Sequence, residues 1–341
     1  MKELLKRLCS IPGVSSWEDQ VRDCVMDVAG QYATELRVDV MGNVIAFKEG
    51  VKATGNKLLL TAHMDEVGLM VRSITDEGYL KFDTVGHIDR RVLLGKRVLV
   101  GPNLIPGVVG LKAYHLVSRD EEKNVPKLED YYLDIGAKSR KEAEGLIRLG
   151  DVAVYDSKPE LFGGGLLKGR ALDGRIGCAV LLWLMREELP MDCTFVFTVQ
   201  QEVGARGAFG AAFSVKPQIA LVLEGAPAFD LAGVASNQKS CVLGGGAVLP
   251  YMDKGIMVDR NLFETLRSLA EEKNIPWQLR ENTAGSGDAG AIQRTAAGVR
   301  TAVIAAPVRY PHTPATLAHP SDIEAVVNLT RAFITHLSKE D

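Results

Sequence analysis

The sequence predicts an α/β fold: a central mixed sheet flanked by helices, with a small β-barrel domain inserted into it. Three observations carry that expectation. The outer segments alternate amphipathic helix patterns with short apolar strands, as a layered α/β sheet requires. The stretch between them runs instead through short β segments separated by Gly, Pro and Asp. The outer strands end on His, Asp and Glu, where open α/β sheets build their ligand sites. With 341 residues, 46% of them hydrophobic, the chain can bury one large core and a smaller one.

In chain order, MKELLKRLCSIPGVSSWEDQ breaks its apolar residues with charges at every turn, unlike a secretory signal or a membrane span. No later stretch reaches the roughly 18 apolar residues a span needs. Ser15 with Glu18 predicts a capping box ahead of a helix through about Tyr32. LRVDVMGNVIAFKEG predicts two strands joined at Met41-Gly42-Asn43, and KLLLTAHMD a short buried strand. The insert is expected over 68–162, with the β runs GLMVRSI, GYLKFDTV, KRVLVG, PGVVGLKA, YYLDIGA and DVAVYDS and one helical stretch at 138–148. After Gly163-Gly164-Gly165 the α/β pattern returns. A helix at about 173–188 is followed by the strands CTFVFTVQ and IALVLEG, a helix at about 260–273, and the strand TAVIAAPV. A last helix opens at a Ser321/Glu324 capping box. The outer pieces, 1–67 and 163–341, are therefore expected to form one domain, and no internal repeat is visible.

Forty Lys and Arg against 43 Asp and Glu leave a formal charge of −3, with no basic run. Nothing electrostatic points to nucleic acid or an anionic membrane. The five cysteines are scattered without a C-x-x-C pair, which predicts reduced core thiols and, with the N-terminal pattern, a cytoplasmic protein. The glycine runs at 163–165 and 244–246 lack the G-K-[ST] ending of a phosphate loop and read as turns.

The chemistry lies at the strand ends. His63 and Asp65 close KLLLTAHMD, Glu202 closes CTFVFTVQQ, Glu224 closes IALVLE, His312 follows TAVIAAPVRY, and Asp173 opens a helix. Taken singly, each has an ordinary structural explanation: a hydrogen-bonded His, a helix cap, a solvated acid. Together, imidazoles and carboxylates converging from several strands are how a zinc-type cluster is assembled. Two imidazoles, two terminal acids and one central acid suit two cations about 3.5–4 Å apart, which would hold a bridging hydroxide against a scissile carbonyl. The H-x-D spacing of His63 and Asp65 suits a carboxylate that orients a ligating imidazole.

AHMDEVGLMV, ALDGRIG, QQEVGARGA, LVLEGAPAFD, GSGDAGAI and RYPHTP, in this order, resemble the dinuclear-metal aminopeptidases that include glutamyl and tetrahedral aminopeptidases. Some of these were once labelled cellulase M or endoglucanase. The resemblance covers essentially the whole chain, including DIGAKSRKEAE in the insert. It implies a zinc-peptidase-like sheet that removes N-terminal residues from peptides. It further implies that His63, Asp173 and Glu224 hold one metal and Asp173, Glu202 and His312 the other, with Asp173 bridging and Asp65 steadying His63. The ions would be two divalent cations, zinc or cobalt, with manganese as an alternative. The insert would mediate a homo-oligomer, from a dimer up to a dodecamer, around peptide substrates. Glu224 stands where many relatives have Asp, and Gly174 where they often have Asp or Asn.

In that family two consecutive acids precede V-G, the first a general base. Here Gln201 occupies the base position, and an amide cannot accept a proton. The expectation is an impaired aminopeptidase or, alternatively, a catalytically weak or inactive homologue acting as a peptide- and metal-binding scaffold. A substitution that traps bound peptide and rescue by Glu66 or Glu281 are further readings of the same position. A glycosidase would need two carboxylates flanking a sugar, and His63 with His312 argue against it. Arg206, Asp288 and Arg309 sit in family-like motifs as substrate contacts or salt bridges, and His115 could approach a site or lie in an exposed loop. His87, His319 and His336 read as surface residues.

Overall fold

The computed structural model describes residues 1–235 and 238–340. They form two compact units. One comprises Met1–Asp65, Lys158–Pro311 and the chain from Ala315 on; the other comprises Glu66–Ser157 with His312–Pro314.

The first unit is built on an 11-stranded mixed sheet. At its centre Cys193–Thr198, Leu58–His63, Ile219–Pro227 and Arg300–Arg309 run parallel, side by side in that order. Every residue of the first two is buried, as expected of parallel strands covered on both faces. On one side follows the antiparallel hairpin Glu35–Val38/Val44–Lys48. Its turn forms because the Asp39 carboxylate accepts the amides of Met41, Gly42 and Asn43. On the other side lie Thr316–Ala318, Leu166–Gly169 and Glu160–Phe162. Ala247–Pro250 branches from Arg300–Arg309 and pairs with Trp277–Arg280.

The helix Leu172–Leu184 is apolar on nearly every side and packs beneath the parallel strands, as a core helix must. Its one large polar side chain, Arg175, is fully buried; Nε donates to Met64 O at 2.6 Å and Nη1 to Leu8 O. Lys2–Ser10, Asp19–Ala29, Arg260–Glu272 and Pro320–Leu337 complete that layer. Arg206–Val215 and Asp288–Gln293 cover the opposite face. These two helices, and the short strands Glu160–Phe162, Leu166–Gly169, Ala247–Pro250, Trp277–Arg280 and Thr316–Ala318, escape sequence patterning because they are short or rich in Gly and Ala.

The second unit contains a closed six-stranded barrel. Its strands are, in order round the wall, Gly68–Ile74, Leu80–Val85, Tyr132–Asp134, Ile105–Gly110, Arg97–Val100 and Val152–Tyr155. Inward residues such as Leu69, Phe82, Val98 and Leu133 fill it. Its α-helix is Arg140–Glu144, shorter than the predicted 138–148 and capped by Ser139. This is the α/β fold with mixed sheet and inserted barrel that the sequence predicts. Lys158–Phe162 clusters with the large sheet, because Glu160–Phe162 pairs there.

Both predicted capping boxes are corrected. Glu18 itself is the N-cap of Asp19–Ala29 and makes no side-chain cap bond. His319 caps the last helix, its ring accepting the Ser321 amide, with Pro320 in the first turn. All five cysteines are free and buried. Among the described residues no helix is long and apolar enough to cross a membrane.

Candidate active site

His63 is the last residue of its strand and lies in register with Thr198 on the neighbouring strand. Asp65 follows two residues later, Glu224 sits in Ile219–Pro227, and Asp173 is the second residue of Leu172–Leu184 rather than its cap. The α/β sheet thus delivers these groups to its carboxyl edge.

Beyond Thr198 the chain turns, and its next four backbone amides are all received by side chains. Val199 N–H donates to Asn43 Oδ1, Gln200 to Glu18 Oε1, Gln201 to Asp65 Oδ1 and Glu202 to Asp65 Oδ2, each at 3.0 Å. Gln200 takes a left-handed φ of 56°. The Asp65 carboxylate also accepts Ser15 Oγ–H at 2.6 Å and lies 3.5 Å from His63 Nδ1. It is completely buried, which by itself would raise its pKa, yet its bonds to His63, Ser15 and the Glu202 amide hold it below the ordinary value. Burial would likewise lower His63. The hydrogen bond and charge of Asp65, with Asp173 and Glu202, raise it instead to about 10. With Nδ1 facing Asp65, the ring is fixed and Nε2 is the nitrogen left for a cation.

Close approach to these groups uses glycine. A Cβ on Gly174 would lie 2.5 Å from His63 Cε1, one on Gly225 2.7 Å from Asp173 Cα, and one on Gly287 2.0 Å from Glu224 Oε2. Desolvation pushes the Glu224 carboxyl up to about 7, with Arg280 acting against the shift.

Asp173, Glu202 and His312 each offer a ligand atom, all within 4.8 Å of one another, and each is half-buried. Among the described residues His63 and Glu224 belong to no such three-ligand group. His312 adopts φ 61°, and its Nδ1 faces the carbonyl of His87 at 2.6 Å. Imidazole with carboxylates is a donor set that suits zinc, cobalt or manganese, so these residues fit a metal.

A model of the M42 glutamyl aminopeptidase family matches residues 42–329. The chain belongs to that family. Among M42 relatives, the lysyl aminopeptidase of Pyrococcus furiosus is 31% identical over 351 residues, 99% of this chain and 98% of its own. The crystal structure of the TET aminopeptidase from a marine-sediment Thaumarchaeota archaeon superposes with a TM-score of 0.95 at 34% identity, covering 99% of this chain and 97% of its own. The Pyrococcus horikoshii TET1 peptidase, which can assemble into a tetrahedron or a large octahedral shell, gives 0.85 at 33% identity and covers 97% and 98%.

Within this M42 chain Gln201 lies beside Glu202, its side-chain Nε2 donating to Ser286 O at 3.3 Å. Glu281 is exposed and Glu66 is buried next to Asp65 in sequence. Arg309 is engaged by Asp230 through two bonds of 2.6 and 2.7 Å. Asp288 is buried against Thr198 Oγ at 2.5 Å, and Arg206 opens its helix. His115 lies in an exposed 3-10 turn, and His336 faces Glu340 at 3.0 Å on the surface. Sequence reasoning missed Ser15, Glu18 and Asn43. Two of them carried a signal, S-x-x-E before an amphipathic run, that reads equally well as a helix cap.

Proposed function

We propose that the chain is a metal-dependent aminopeptidase that removes N-terminal residues from peptides, slowed by Gln201. The observation that carries this reading is the convergence of Asp173, Glu202 and His312 in a chain of the M42 family. In the reading, His63, Asp173 and Glu224 hold one divalent cation and Asp173, Glu202 and His312 the other, zinc or cobalt being preferred and manganese an alternative. Bound there, the cations would supply Lewis-acid activation of water and of the scissile carbonyl.

The chain's own residues set the rate. Asp65 keeps the proton on His63 Nδ1 and fixes the amides of Gln201 and Glu202. Gln201 places an amide where proton uptake is needed. Its nitrogen is a donor to Ser286 O, and its oxygen is too weak a base to hold a proton. The proton must leave through solvent, which costs the roughly 10²–10⁴-fold that general-base assistance contributes.

A second reading is favoured by that same Ser286 contact: a catalytically weak or inactive homologue acting as a peptide- and metal-binding scaffold. In either reading the residues from 68 to 162 serve assembly into a homo-oligomer, dimer to dodecamer, and those at 1–67 and 163–341 hold the site in a cytoplasmic protein.

The test is hydrolysis of a panel of aminoacyl-p-nitroanilides by the unaltered chain and by Gln201→Glu, both loaded with zinc or cobalt. A rise of at least about a hundredfold in the variant is expected. An unaltered chain that is already fast, with a variant no faster, overturns the impairment; no turnover by either favours the scaffold.

A further inference from the structure

The turn that carries Gln201 and Glu202 is bonded to a residue that belongs to neither the metal-ligating set nor the family motifs around it. Glu18 is 5% exposed, and its Oε1 accepts the Gln200 amide at 3.0 Å. Ser16 and Gln200 both have left-handed backbones, with φ 73° and 56°, conformations that non-glycine residues adopt only when their surroundings enforce them. Ser15, next in line, donates its hydroxyl to Asp65, which receives the two amides that follow Gln200. Two turns distant in sequence are therefore stitched through one row of buried acceptors. Glu18 makes no side-chain cap bond to the helix it precedes, so its hydrogen bonding is directed to the Gln200 turn instead.

We infer that Glu18 is a positioning residue of the active site: by holding the Gln200 amide it sets where the Glu202 carboxylate and the Gln201 side chain project. The alternative, a left-over helix cap buried by accident, leaves the Gln200 conformation unexplained. This inference rests on the proposed metal centre, since its effect is read through Glu202.

Cobalt titration of the full chain, followed by the visible absorption of the bound ion and by calorimetry, tests it. Glu18→Ala should bind one of the two cobalt ions at least about tenfold more weakly, the scale on which residues that orient ligands act. Glu18→Gln keeps an acceptor oxygen for the Gln200 amide and should stay within about fivefold of the unaltered chain, the scale of one hydrogen bond. Equal cobalt affinity in Glu18→Ala, with only a lower melting temperature, overturns the inference and leaves the metal centre standing. Absence of cobalt binding by the unaltered chain removes the metal centre, and the inference with it. Should Glu18→Ala not fold, amide hydrogen exchange in the unaltered chain decides. Protection of Gln200 N–H comparable to that of Cys193–Thr198 supports the inference, and exchange as fast as an open loop overturns it.

Discussion

The side-chain amide of Gln201 donates to the carbonyl oxygen of Ser286 at 3.3 Å, joining the turn that carries Glu202 to the loop that leads into Asp288–Gln293. Glutamate has no proton to offer there when ionised, and its oxygen would face the carbonyl. Gln201→Glu should therefore do two opposite things. It should raise turnover about a hundredfold by restoring a base, and it should lower stability by about 1 kcal/mol through the lost hydrogen bond. Turnover and denaturant midpoint measured on the same preparations check both. A faster variant with an unchanged midpoint would show that the Ser286 contact contributes nothing.

Gly174 stands in the first turn of Leu172–Leu184, where alanine would ordinarily favour the helix by about 1 kcal/mol. Its Cβ would meet the His63 ring at 2.5 Å and the His63 carbonyl oxygen at 2.7 Å. The ring can rotate, but the carbonyl belongs to a central strand and cannot. Gly174→Ala should thus be destabilised by about 1–3 kcal/mol, as overpacked sites are, and should bind cobalt about tenfold more weakly because His63 is displaced. A variant at least as stable as the parent in urea would refute the crowding.

These two sites show what the sequence could and could not reveal. The parallel strands were legible because a buried strand is a short unbroken apolar run, as in LLLTAH and CTFVFT. The acids and imidazoles were legible because they follow those runs, and His63, Asp65 and Glu202 all lie where the strand positions imply. The amide acceptors were not. Asn43 binds Val199 across 156 residues and Glu18 binds Gln200 across 182, pairings that no local pattern encodes. Ser15 and Glu18 carry the spacing of a capping box, and local rules assign them to the helix, whereas tertiary structure recruits both side chains to the site. Gly174 and Gly287 likewise look like neutral loop or helix glycines until the side chains facing them are known.

Metal removal should be felt by the whole fold. His63 is held protonated by acids around it, and Glu224 is pushed toward neutrality by burial, so protons stabilise the cluster where cations would replace them. A chelator should lower the melting temperature and abolish any peptidase activity, since metal bound to the folded state alone stabilises it. Re-addition of zinc or cobalt should restore both. Melting indifferent to chelation would exclude a bound metal centre in this chain.

Asp288 makes a pH prediction whose sign follows from burial. It is 1% exposed, its Oδ2 meets Thr198 Oγ, and its Oδ1 has no hydrogen-bond partner. Desolvation pushes its carboxyl up to about 6, against the opposing charge of His63 and the Thr198 bond, from an ordinary 3.8. A raised carboxyl favours the folded state fully below its unfolded value and loses that contribution as pH rises through the folded one. Between about pH 4 and pH 7 this group should therefore erode stability by roughly 1–3 kcal/mol. Asp288→Asn carries no ionisation and keeps an acceptor oxygen for the Thr198 hydroxyl, so its denaturant midpoint should decline less over that interval and exceed the parent's near pH 7. Parallel pH profiles for the two chains would mean that Asp288 ionises without penalty, and that its unpartnered oxygen is hydrated in solution.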